Sequence, residues 1–178
     1  MAEPRFMFDT NVFNRIFEGR ISVVDARRAG ILYATHIQRD ELAKTPDQGK
    51  RASLQAIFTE ATQASEPTTS FYLGFSRLDE ARLAADQVAP TSSAAWGVSK
   101  WGESSWGEED GLFDAMKAEL DSANRQKKNN TQDILIAETA IRMKAMLVTD
   151  DADLRAVTRK FGGETMSVEE FRSTGARG

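Results

Sequence analysis

Short apolar segments that stop at polar residues, each followed by a stretch with helical spacing, constrain this chain more than any other feature. Arg5-Phe6-Met7-Phe8 runs into Asp9-Thr10-Asn11, behind which Val12, Ile16 and Phe17 share a helical stripe. This reads as a buried strand that turns into an amphipathic helix at Asp9. Ser22 is placed to cap a second short helix, Gly30 to stop it after Ala29, and Ile31-Leu32-Tyr33-Ala34 to form the next strand. Thr35 and Gln38 have the spacing of a capping box and open a helix through Ile37, Glu41 and Leu42 that Pro46 ends. A further helix is expected over Gln48 to Ala64.

The pattern weakens from Ser65 to Asp110, where Ser70 to Phe75 reads as a short strand and Ser76 as the cap of a helix carrying Leu78, Leu83 and Val88. Pro90 to Gly111 is rich in Ser, Gly and acid and repeats Trp-Gly at Trp96, Trp101 and Trp106. A step of five residues keeps neither one helix face nor one strand face, so this stretch is expected to be irregular. Its indoles suit packing or self-association better than stacking on bases. Order returns with a helix from Leu112 to Asn124, a basic and polar stretch from Arg125, and a helix from Thr131 to Lys144 that Asn130 caps. The buried stripe of that helix is Ile134, Leu135, Ala137 and Ile141. Ala145-Met146-Leu147-Val148-Thr149 is a strand ending in Asp150-Asp151-Ala152-Asp153. A helix through Leu154 and Val157, the pair Gly162-Gly163, a short strand near Glu164-Thr165-Met166 and a helix capped by Ser167 with Glu170 complete the pattern. Such alternation implies one α/β domain of three α/β/α layers around a mostly parallel sheet of about five strands, with an insertion or extended segment around 67–111.

Composition excludes several kinds of chemistry. The 178 residues are 40% apolar and 28% charged, too apolar for a disordered chain, and the apolar residues are too dispersed for a membrane span. Without cysteine there is no disulfide framework or thiolate metal site, and one histidine, His36, excludes a multi-histidine zinc centre. Any metal must then be held mainly by oxygen. Residues Met1 to Phe8 lack the features of a secretory signal, so a cytoplasmic location is expected. The net charge of −4 argues against a bulk electrostatic nucleic-acid binder but not against an enzyme that meets nucleic acid through cations.

In a parallel sheet, sites lie beyond the carboxyl ends of the strands. Asp9 closes the first strand, Glu41 stands in the second turn of the helix after the second, Asp133 opens the helix that leads to the later strand, and the cluster Asp150 to Asp153 follows that strand. Each acid alone has a structural explanation as a cap, a first-turn acid or a solvated helix residue. Together they exceed what capping requires. Carboxylates gathered on one rim repel one another unless a cation neutralises them, and hard oxygen ligands suit Mg²⁺ or Mn²⁺. The chemistry this pattern implies is metal-assisted phosphodiester hydrolysis. Asn11 and Thr149 stand beside the acids as supporting hydrogen-bonders, and Lys127 and Lys128 are candidate phosphate contacts, although charge runs are usually solvated. His36 is expected on an exposed first turn.

The apolar strand into Asp9-Thr10-Asn11, the acid at Glu41, Asp133-Ile134-Leu135-Ile136-Ala137 opening a helix, and Leu147-Val148-Thr149-Asp150-Asp151-Ala152-Asp153-Leu154 resemble the PIN-domain ribonucleases, in the same order. The resemblance spans Phe6 to about Phe171. It implies that Asp9, Glu41, Asp133 and Asp151 are the catalytic acids that hold Mg²⁺ or Mn²⁺, with Asp153 as an additional metal-side acid. It further implies an RNA substrate, a homodimer and, as in VapC-like toxins of toxin–antitoxin pairs, a silencing antitoxin protein. Family toxins are typically shorter, the excess here falling between Pro67 and Gly111. Two other functions compete. A haloacid-dehalogenase-like phosphatase usually has a second aspartate where this chain has Asn11, and gives no role to Glu41 or Asp133. A degenerate, non-catalytic PIN domain that binds RNA or protein would not need an intact acidic set.

Overall fold

The computed structural model describes residues 3–72, 74–76, 80, 105–106, 111–124 and 127–175. Strand β1 (Arg5–Phe8) leads into α1 (Thr10–Phe17), then α2 (Val23–Ala29), β2 (Ile31–Ala34), α3 (His36–Ala43), α4 (Gln48–Ala61) and β3 (Ala64–Ser65). A short pair, β4 (Phe71–Tyr72) and β5 (Ser105–Trp106), precedes α5 (Leu112–Ala123) and α6 (Asn130–Met143). The chain then forms β6 (Met146–Val148), α7 (Ala152–Lys160), β7 (Thr165–Met166) and α8 (Val168–Gly175). The five-stranded sheet has the order β3-β2-β1-β6-β7. Every pairing in it is parallel, with Met7 opposite both Tyr33 and Leu147. This is the expected α/β architecture.

Alternation along the strands builds a core on each face. Phe6, Phe8 and Val148 join Val12, Phe13, Leu54 and Phe171 in one cluster. Met7 and Leu147 join Met116, Leu120, Ile134 and Leu154 in the other. The Phe171 ring meets Phe6 and Phe8 edge-on, at centroid distances of 5.0 and 5.1 Å. Helix α3 places Leu42 in the first cluster and Ile37 in the second, so it anchors both at the end of the sheet. Gly30 lets β2 approach the start of β1, because a Cβ there would lie 2.2 Å from the Pro4 carbonyl oxygen.

Several local expectations are corrected. The helix expected to reach Ala64 stops at Ala61, because Gln63 and Glu66 donate backbone hydrogen bonds to Leu32 and Ala34 and make the edge strand β3. Asn129, not Asn130, occupies the cap position of α6; the Asn130 amide donates instead to Asp121 and to the Asn124 carbonyl. Phe13 fills the buried position on α1 that Phe17 was expected to share, and Phe17 is 42% exposed. Trp106 stands in β5, paired antiparallel with Phe71, where an irregular stretch was expected. Trp96, Trp101, Arg125 and the Leu78, Leu83 and Val88 helix lie outside the described residues. Among the described residues no helix is long and apolar enough to cross a membrane.

Candidate active site

Strand β1 has β2 on one side and β6 on the other, and the chain leaves it in one direction first and the other later. The carboxyl ends of β1 and β6 therefore flank the point where strand order reverses, the usual place for a site in such sheets. Asp9 and Thr149 are the first residues beyond those ends. The Asp9 N–H continues the ladder to the Val148 carbonyl at 3.0 Å, which fixes the backbone beneath its carboxylate.

Asp9 is 4% exposed. Its Oδ1 accepts from the Thr10 N–H at 2.6 Å. Oδ2 accepts from the Asn11 amide and the Thr149 hydroxyl, both at 2.6 Å. All three donors are neutral. Burial, and next the charge of Asp133, push its pKa up to about 7.

Glu41 reaches the same place from α3. Its Oε2 accepts from the Thr10 hydroxyl and its Oε1 from the Asn129 amide at 3.3 Å. The helix is held there by Gln38, whose Oε1 accepts from the Thr35 N–H at 2.8 Å in the expected capping box. The Gln38 Nε2 donates to the Phe8 carbonyl at 2.9 Å. One fully buried amide thus ties the start of α3 to the residue before Asp9. Burial raises the pKa of Glu41, against the Thr10 hydrogen bond.

Asp133 lies in the first turn of α6 and is 5% exposed. Its Oδ2 is buried without an aligned donor and meets the Lys127 ammonium at 2.5 Å as an ion pair. Burial raises its pKa even so. Asp151 caps α7, with Oδ1 accepting from the Leu154 N–H at 3.0 Å, while Oδ2 pairs with the same Lys127. Burial works upward on Asp151, but Lys127 and the cap outweigh it and hold the carboxyl below its ordinary value. Burial lowers Lys127, and the two carboxylates more than reverse this and hold it above the ordinary lysine range. Thr149 links the halves: its hydroxyl donates to Asp9 and accepts from the Asp151 N–H at 3.1 Å.

Asp9 feels the charges of Asp133 and Glu41, Glu41 feels Asp133, and Asp133 feels Asp151, so the four acids form one electrostatic chain. Asp153 faces Asn124, whose amide lies 3.4 Å from its Oδ2. Asp150 is structural, accepting from Val168 N–H at 3.2 Å and pairing with Arg15 at 3.1 Å. Lys127 turns inward to the acids, and Lys128 is exposed. His36 is 2% exposed instead of solvated, with Nε2 3.3 Å from the Phe75 carbonyl oxygen. The site roles of Thr10 and Asn129 and the Phe8 contact of Gln38 were not legible in the sequence, because those contacts cross 31, 88 and 30 residues.

Among the described residues, no three acids stand in a ready-made metal cage. The donors nevertheless suit a hard cation: four carboxylates offer oxygen ligands, one of them has a buried oxygen lacking an aligned donor, and a single lysine answers only two of them. Comparison with models of protein families, and with curated proteins, finds no match to this chain.

Proposed function

We propose that this chain is a metal-dependent endoribonuclease of the PIN-domain type. The observation that supports the reading is the linkage of Asp9, Glu41 and Asp133, each pushed up in pKa by burial, with Asp151, which shares Lys127 with Asp133, beyond the carboxyl ends of β1 and β6. These four would hold Mg²⁺ or Mn²⁺, which when bound supplies positive charge to activate water and to stabilise an oxygen leaving phosphorus. The protein's own part is orientation. Thr10, Asn11 and Thr149 aim Asp9 through neutral donors, so its charge stays available to a cation. Thr10 and Asn129 aim Glu41, and the α7 cap fixes one oxygen of Asp151 while the other faces the site. Lys127 pairs with Asp133 and Asp151, offsets one of their two charges, and is the cation that would meet a phosphate oxygen there.

A phosphatase using Asp9 as nucleophile fits less well, because both Asp9 oxygens accept hydrogen bonds and the second acid of that chemistry is replaced by Asn11, which donates to Asp9. The non-catalytic reading draws on the Lys127 ion pairs, which neutralise part of the site without a metal. The antitoxin, the homodimer and the cytoplasmic location rest on the resemblance and the sequence alone. The test is cleavage of labelled single-stranded RNA by the purified chain with Mn²⁺ or Mg²⁺. Metal-dependent cutting that EDTA and Asp133→Asn both abolish is expected; no cutting of several RNAs by folded protein overturns the proposal in favour of a non-catalytic module.

A further inference from the structure

A metal ion at the acidic rim has a rival already in place. Lys127 stands in the link between α5 and α6, and its Nζ meets Asp133 Oδ2 at 2.5 Å and also pairs with Asp151 Oδ2. One nitrogen atom thus spans two carboxylates, one from the first turn of α6 and one from the cap of α7. Its charge reaches Glu41 on α3 as well. An ammonium and a hard cation seek the same partner, anionic oxygen at close range. A metal ion that ligates both Oδ2 atoms needs the place this nitrogen holds, and two positive charges that close repel each other. Lys127 cannot keep both ion pairs once such an ion is bound.

The lysine is able to leave without dismantling the rim. Asp151 keeps its Oδ1 on the Leu154 N–H at 3.0 Å, whichever cation its Oδ2 faces. The Lys127 backbone N–H donates to the Asn124 carbonyl at 3.3 Å, and its side chain is 31% exposed, so the ammonium can swing on its flexible stem while the backbone stays. The Asp133 side chain, only 7% exposed, needs a cation beside it at all times, because a buried charge without a partner is costly. Lysine therefore leaves as metal enters. The displaced ammonium keeps its charge, and a phosphodiester brought to the rim offers it anionic oxygen in exchange for the carboxylates.

We propose that Lys127 is a tethered cation that changes partners: it pairs with Asp133 and Asp151 in the metal-free protein, and a bound metal drives it onto the phosphate of the substrate strand. The proposal rests on the metal-dependent nuclease reading above and adds to it a coupling, in which metal and phosphate each strengthen the binding of the other by the same factor. The test is calorimetric Mn²⁺ binding to the full chain, alone and with a saturating single-stranded phosphorothioate oligonucleotide, which keeps the backbone charge and resists cutting. A methylphosphonate oligonucleotide of the same sequence, without that charge, is the control. Because Mn²⁺ itself attracts phosphate, the quantity that decides is the difference between proteins. The phosphorothioate should tighten Mn²⁺ binding on the order of tenfold more in wild type than in Lys127→Met, and the methylphosphonate should produce no such difference. Lys127→Arg, still a cation on a long stem, should keep most of the coupling, which a lysine needed only for folding would not explain. Thermal melts check that each variant folds, and Lys127→Gln replaces Lys127→Met if the latter does not. Equal coupling in wild type and the uncharged variant overturns the exchange, and if wild type still cuts RNA with Mn²⁺ the nuclease reading stands. Folded wild type that binds no Mn²⁺ overturns both.

Discussion

The two halves of the acidic rim handle the same problem differently. Asp9 and Glu41 are oriented only by neutral donors, whereas Asp133 and Asp151 share the Lys127 ammonium. Burial lifts Asp9 to about 7 because its neutral donors only partly oppose it, while Asp151, more open and paired with Lys127, is held below its ordinary value. Asp133 shows the limit of pairing: at 5% exposure, one ammonium does not offset its burial. Position therefore needs only hydrogen bonds, but neutrality needs a cation.

The largest expected effect tests whether the two halves act together. Asp133→Asn should lower RNA cleavage on the order of 10³-fold while thermal melts stay cooperative, because the amide keeps the shape and loses the charge. Unfolding of that variant would assign Asp133 to structure instead. The next concerns pH. Asp9 has a folded pKa of about 7, above its unfolded value of 3.8, so its contribution to stability is fully present below about pH 4 and is lost as pH rises through about 7. Glu41 and Asp133 shift in the same direction. Urea denaturation of metal-free protein should thus give a lower stability at pH 8 than at pH 5, by a few kcal/mol. Saturating Mn²⁺ should reduce this loss, and a metal-free stability that climbs over that range would break the argument.

Smaller effects sharpen the contrast. Thr149→Val removes the Asp9 donor and the acceptor for the Asp151 N–H, and should cost about 1–3 kcal/mol in chemical denaturation. Lys127→Met should tighten Mn²⁺ binding on the order of tenfold by calorimetry, since a competing charge leaves the rim, while lowering the metal-free melting temperature. Weaker Mn²⁺ binding in that variant would show that Lys127 supports the site and does not compete for it.

Much of this was legible in the chain order of residues. The capping boxes at Thr35 and Ser167 form as their spacing requires, because a cap is a local contact over three residues. The parallel sheet follows from apolar segments separated by helices, and the position of Asp9 beyond β1 follows from where the apolar run stops. The edge strand at Ala64–Ser65 was not legible, since two residues carry no period and their pairing depends on β2 being beside them. The expectation of an exposed His36 fails for a related reason: its surroundings include Phe75, 39 residues away.

The sequence by itself determined which residues carry charge, where strands give way to helices, and that any bound metal would have to be held mainly by oxygen. Those properties reside in side-chain chemistry and in periods a few residues long. Only the tertiary structure decided that Thr10 aims Glu41, that Gln38 ties α3 to β1, and that Lys127 joins Asp133 to Asp151. The physical reason is that pairing and burial depend on distance in space, and packing a twisted parallel sheet between two layers brings together groups that nothing local in the chain relates.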